Sequence, residues 1–227
     1  MIATTFSGSK GGTGKTTLAV CLSVVVGGVA PTLLVDASSE GGATAYLVGD
    51  VPPPYLRDDP SRSLRRVESG SLRLTIAVNR GPLADLQVVA DHVRGWSRAY
   101  SVVVVDLPAL TDVDAVERYM PLLKLADAVL VVTEPSPAAM EAALYKFSGK
   151  SVVVVLNQPR PYPLAVVNQY VSMMRVFCRN AGCEYVVVPY EPAMSRLSPS
   201  TLRVINYTSE EFDAAIMRLA RLLLRQV

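Results

Sequence analysis

The sequence predicts an α/β fold: one three-layer domain over residues 1–227, with helices on both faces of a mainly parallel, twisted sheet of about seven to eight strands. Three observations predict it. Short β-branched apolar runs alternate with longer helix-like segments along the chain. Those runs are apolar at nearly every position rather than at every second one, as in strands covered on both faces. A glycine-rich loop, Ser9-Lys10-Gly11-Gly12-Thr13-Gly14-Lys15-Thr16-Thr17, joins the first run to the first helical segment, a strand–loop–helix arrangement.

In chain order, the first strand is residues 2–6 and the first helix 15–26, closed by Gly27, Gly28 and Pro31. Strand 32–35 ends on Asp36. Residues 50–70 carry Pro52-Pro53-Pro54, Pro60 and four arginines (Arg57, Arg62, Arg65, Arg66), and they read as a long surface loop with room for a short helix rather than a linker between domains. Strand 72–78 and helix 83–97 follow. Strand 101–105 ends in Asp106-Leu107-Pro108, helix 114–125 leads to strand 128–132, and helix 137–147 to strand 151–156. Helix 164–180, strand 185–188 and helix 209–226 complete the set. In the last helix Phe212, Ile216, Leu219 and Leu223 recur at helical spacing, as on a helix packed against a sheet.

The loop carries the chemistry. Its glycines let successive backbone N–H groups converge on one point, and the following helix adds its positive end. Lys15 suits the β- and γ-phosphates of a nucleotide, and the Thr16 hydroxyl suits Mg²⁺. Ser9 stands where the general pattern G-x-x-x-x-G-K-[ST] has its first glycine, and Lys10 adds a second lysine. Open α/β sheets bind ligands beyond the carboxyl ends of their strands, which singles out Asp36 and Asp106. Beside a phosphate loop, Asp106 reads as the acid that holds Mg²⁺ through water.

Other features bound the reading. The net charge of +2 gives no global argument for nucleic acid, and only five lysines occur among 22 basic residues. Cys21 reads as a core residue. Cys178-x₄-Cys183 has a spacing open to a disulfide or a metal, and His92, the single histidine, reads as a surface residue. Residues 18–35 are apolar enough to suggest a membrane span, but the glycines, Pro31 and Asp36 favour helix, turn and strand. No signal peptide is evident, because the phosphate loop begins almost at the first residue, and a cytoplasmic protein is expected.

The variant loop K-G-G-x-G-K-T-T resembles that of the ParA/MinD ATPases, which share a broad class with the nitrogenase iron protein. Further segments are similar in the same order: Asp36 to the first switch, Asp106-Leu107-Pro108 to the second, Val132-Thr133-Glu134-Pro135-Ser136 to a V-x-x-P-S/T stretch. Asn157 resembles the strand-end asparagine at the adenine, and Val188-Pro189-Tyr190-Glu191-Pro192 the segment that walls the base. The resemblance is closer to ParA than to membrane-binding MinD.

It implies a P-loop fold, ATP or ADP with Mg²⁺, and ATP-driven homodimerisation with Lys10 crossing to the partner's nucleotide. Gly11, Gly12, Thr13, Gly14, Lys15, Thr16 and Thr17 would cradle the phosphates, Asn157, Pro189, Tyr190 and Glu191 would meet the base, and Thr16, Asp36 and Asp106 would hold the metal. The implied role is partitioning of DNA or positioning of a cargo, on nonspecific DNA and with an activating ParB-like partner rather than a membrane. One departure stands out: Ser38 occupies the place of the family's catalytic aspartate, with Glu40 two residues on. A hydroxyl cannot accept a proton near neutral pH as a carboxylate does, so slow hydrolysis is expected, with Lys10, Lys15, Ser38 and Glu40 as the catalytic set. The alternatives are a MinD-like membrane-associated ATPase, a metal or Fe–S carrier of the nitrogenase-iron-protein or Mrp branch, which normally needs a C-x-x-C pair, and a dethiobiotin-synthetase-like ligase.

Overall fold

The structure, a computed structural model, describes residues 1–8, 11–137, 150–198 and 208–225. Eight strands form one sheet: β1 (Ile2–Phe6), β2 (Thr32–Asp36), β3 (Leu64–Arg66), β4 (Leu74–Ala77), β5 (Val102–Asp106), β6 (Ala128–Thr133), β7 (Ser151–Asn157) and β8 (Glu184–Val188). Their order is β3-β4-β2-β5-β1-β6-β7-β8, and every neighbouring pair is parallel except β3 with β4. The described helices are α1 (Lys15–Gly27), α2 (Gly42–Leu47), α3 (Leu86–Trp96), α4 (Val113–Leu125), α5 (Leu164–Ala181) and α6 (Glu210–Leu224).

Two apolar layers explain the unbroken apolar runs. On one face of the sheet, Leu33, Val35, Val103 and Val105 pack in one core with residues of α3, α4 and α5. On the other face, Leu34, Val102, Val104 and Leu130 pack with residues of α1, α2 and α6. Both faces are therefore dry, and β1, β2, β5 and β6 are buried at every residue. The last helix behaves as its spacing predicts, with Phe212, Ile216, Leu219 and Leu223 all buried.

In the stretch 50–70 the short helix is present, but the structure adds an edge strand and buried residues that the loop reading lacked. The stretch contains a short 3₁₀ turn (Pro60–Arg62) and the antiparallel edge strand β3, and it buries Leu56, Ser63 and Val67. Three residues with two arginines give no strand signal, since the pairing with β4 supplies what local propensity lacks. The expected helix 137–147 lies outside the described residues from 138 onward. Cys21 is buried, and Cys178 and Cys183 form a disulfide, with Cα atoms 4.6 Å apart, between the end of α5 and β8. Among the described residues no helix is long and apolar enough to cross a membrane.

Candidate functional site

The carboxyl ends of β1, β2, β5 and β7 converge on a cavity of about 600 Å³. Of the described phosphate-loop residues, all except Thr13 line it, together with Ser38, Glu40, Asn157, Pro189, Tyr190 and Glu191. Ser9 and Lys10 lie outside the described residues. Asp36 and Asp106 are fully buried behind the cavity wall.

The loop can turn only because of its glycines. Gly12 and Gly14 have φ of 92° and 87°, in the left-handed region. At Gly14 a Cβ would also come within 2.2 Å of Asn157 Nδ2. That amide donates to the Thr13 carbonyl at 2.8 Å, so β7 braces the loop from behind. The helix that follows starts without a side-chain cap, as α2 and α5 also do. Asp85, Asp112 and Ser209 cap α3, α4 and α6 through their side chains, whereas α1 starts at Gly14 with no side-chain cap and no acid in its first turn. Its free N–H groups and the positive end of its dipole therefore open on the cavity where Lys15, Thr16 and Thr17 line it.

Lys15 is buried. Burial lowers its pKa, opposed by the charges of Asp106 and Glu40. Asp106 ends β5 directly beside Asp36 at the end of β2. One of its oxygens accepts from the Thr5 hydroxyl at 3.1 Å, and the other is buried with no hydrogen-bond partner. Burial and the neighbouring Asp36 charge push the Asp106 pKa up to about 7, against Thr16, Lys15 and Thr5, which favour the charged form. An orphaned carboxylate oxygen beside a threonine hydroxyl is a fitting donor set for a hard, oxygen-seeking dication.

Asp36 is placed quite otherwise. Its Oδ1 accepts from the Ser38 hydroxyl at 2.8 Å and the Ser38 N–H at 3.2 Å. Its Oδ2 accepts from the Thr44 N–H and hydroxyl at 2.9 and 2.8 Å. Burial raises its pKa, and these four donors oppose the rise. Ser38 Oγ in turn accepts from the Gly41 N–H, and the Ser38 carbonyl accepts from the Asn79 amide at 2.7 Å. The sequence reading expected Asp36 at the metal and Ser38 at the attacking water. In the structure both side chains are spent on holding the loop between β2 and α2.

On the far wall Tyr190 is 37% exposed. The Glu191 carboxylate accepts from Ala193 N–H and Ser209 N–H at 3.0 and 2.8 Å. Burial would raise its pKa, but the Ser209 and Ala193 N–H groups outweigh it and hold it low. Three residues of this architecture escaped the sequence reading: Thr5, Thr44 and Asn79. Asn79 follows directly on a strand-like run, the same signal that found Asp36 and Asp106, whereas Thr44 sits on a helix too short to show a period.

No protein-family model matches the chain, and a search of curated proteins found no match. Solved structures do match in shape. The cell division ATPase MinD from Pyrococcus furiosus superposes with a TM-score of 0.76 at 20% identity, over 100% of this chain and 99% of that one. This decides the architecture. The chain has the fold of the MinD and ParA-type ATPases. An ATP complex of McdA from Cyanothece shares the MinD-type fold at a TM-score of 0.77 and 15% identity, over 98% of this chain and 95% of that one. So does a plasmid partition protein from Borrelia burgdorferi bound to AMPPNP, at 0.72 and 13%, over 100% and 99%. At such identities the MinD-type likeness establishes shape, and the site must carry the chemistry.

Proposed function

We propose that the chain is an ATP-dependent switch ATPase of the ParA/MinD type, binding Mg²⁺·ATP and acting in DNA partitioning or the positioning of a cellular cargo. The observation that carries the proposal is the union, at one cavity, of an uncapped helix start, a buried Lys15 and an unpartnered Asp106 oxygen. Each lacks what Mg²⁺ and a polyphosphate bring: anionic oxygens for the N–H groups and Lys15, a cation for Asp106. The nucleotides in the McdA and Borrelia structures, and the Mg-ADP in a MinD from Pyrococcus horikoshii OT3, support the same ligand class.

Thr16 and Asp106 would hold Mg²⁺, which shields phosphate charge during transfer. The backbone of residues 11–16 and Lys15 hold the phosphates, while Asn157, Pro189 and Tyr190 flank the base. Two subunits would close over two nucleotides, with Lys10 of each reaching the other's phosphates. ATP then favours the dimer because it supplies contacts only the closed state makes. Hydrolysis is expected to be slow. Exposed Arg175 and Arg179 on α5, with Arg221 and Arg225 at the end of α6, would supply salt-sensitive, sequence-tolerant contacts to DNA phosphates.

Calorimetry with Mg²⁺·ATP tests binding directly: Lys15→Ala must bind far more weakly than the parent, and equal binding would refute the site. Size-exclusion chromatography with ADP, ATP and a slowly hydrolysed analogue, with and without duplex DNA, tests the switch. Lys10→Ala should keep ATP binding and lose the ATP-induced dimer. Retention on lipid vesicles and not on DNA would point to the membrane-associated alternative.

A further inference from the structure

We infer that Glu40, and not Ser38, is the residue that orients the attacking water, and that Ser38 is a positioning residue which shapes the turn carrying Glu40. The inference rests on the proposed ATPase reading.

Elimination carries the first half. The acids among the described residues that line the cavity are Glu40 and Glu191. Glu191 has both oxygens engaged by the N–H groups of Ala193 and Ser209, on the wall away from the phosphate loop. Asp36 lies behind the wall with all four of its accepted bonds directed to Ser38 and Thr44. Asp106 lies behind it too, fully buried, with one oxygen held by Thr5. Glu40 alone is exposed, lines the cavity beside the phosphate loop, and has a carboxylate to which no hydrogen bond is made among the described residues. Its charge is felt at Lys15.

The second half follows from how the turn is built. The Ser38 hydroxyl is held at both ends, donating to Asp36 and accepting from Gly41 N–H, so it has no proton-accepting role to offer the cavity. Gly41 is in the left-handed region at φ 67°, and a Cβ there would meet the Asn79 carbonyl oxygen at 2.4 Å. Gly42 packs on Thr16, where a Cβ would lie 3.2 Å from the Thr16 methyl. The turn 38–42 is thus pinned between Asp36, Asn79 and Thr16, and residue 40 is set at the Thr16–Lys15 end of the cavity. A carboxylate at position 38 would instead face the buried Asp36 carboxylate in place of a hydroxyl that now sits 2.8 Å from it.

In the step this implies, the water oxygen bonds to the γ-phosphorus as the bond to the bridging oxygen breaks. The electron pair of that bond stays on the β-phosphate of ADP. The Glu40 carboxylate accepts a hydrogen bond from the water and passes its proton to the departing inorganic phosphate.

Single-turnover hydrolysis of bound ATP, measured beside the calorimetric Kd for Mg²⁺·ATP, tests this. Glu40→Gln should lower the single-turnover rate by about 100-fold or more, the scale of a lost general base, with Kd changed less than about threefold. Ser38→Ala should lower it about 10-fold, the scale of a misplaced group, and Ser38→Thr, which keeps the hydroxyl, should recover most of that. Ser38→Asp added to Glu40→Gln should restore nothing. Undiminished turnover in Glu40→Gln, a loss that lies in Kd instead, or restoration by Ser38→Asp would each overturn the inference. A parent protein that binds no Mg²⁺·ATP would instead defeat the ATPase reading on which it rests.

Discussion

The two aspartates at the ends of β2 and β5 are register partners in the sheet, yet they live in opposite chemical conditions. Asp36 accepts four hydrogen bonds, and its neighbours Ser38, Thr44 and Asn79 turn inward with it. Asp106 has one oxygen tied to Thr5 and one with no partner. The difference teaches how to tell a brace from a socket. A buried acid whose two oxygens are both satisfied within the chain holds shape, whereas one with an oxygen left unpartnered can take a cation from outside. Glu191 is likewise satisfied by backbone N–H groups, whereas Glu40 is exposed at the cavity.

The largest effect that could break the comparison is at the phosphate loop. Lys15→Ala should weaken Mg²⁺·ATP binding about 1,000-fold by calorimetry, the scale of two charge-assisted hydrogen bonds at about 1.5–3 kcal/mol each. Next comes the aspartate pair itself, in urea unfolding without nucleotide or Mg²⁺. Asp36→Asn should cost about 3 kcal/mol, because its amide NH₂ would confront donors that now meet an oxygen. Asp106→Asn should leave stability intact or raise it by about 1 kcal/mol, because it removes a buried, poorly compensated charge. Equal losses at the two positions would erase the distinction.

A smaller effect is expected at Gly41→Ala, about 1–3 kcal/mol from a left-handed backbone and the crowded Asn79 carbonyl. The pH dependence sharpens the contrast further. The Asp106 pKa of about 7 stands above its ordinary 3.8, so the folded protein holds an extra proton between those values. Unliganded stability from this group therefore falls as pH rises across that window, and thermal midpoints from pH 5 to 7.5 should decline. Asp106→Asn should flatten that slope. Smallest is Glu191→Gln, at about 1 kcal/mol, the worth of a charge-assisted backbone contact.

Much of the fold was legible in the sequence because a two-sided sheet writes itself as unbroken apolar runs, as in Val102–Asp106. The loop at residues 11–17 was legible because its backbone favours glycine at positions 12 and 14 and the lysine and threonines follow at fixed spacing. What stayed hidden depended on partners distant in sequence. The strand Leu64–Arg66 exists by pairing with β4, and the short helix Gly42–Leu47 is fixed by Asp36 reaching forward to Thr44. The positions of Asp36, Ser38 and Glu40 were readable, but not which way each side chain points. That direction follows from Asn79, which lies 41 residues beyond Ser38.

The adjacency of Asp36 and Asp106 bears on how long a molecule survives. Two acids sit side by side at the dry ends of neighbouring strands, and a cation-bearing ligand bound there would make opening rarer. Ligand at 100 times its Kd adds about 2.7 kcal/mol of resistance to that opening. Proteases that cut opened chains would therefore remove empty molecules first, and the cellular half-life of the protein would track the supply of its ligand.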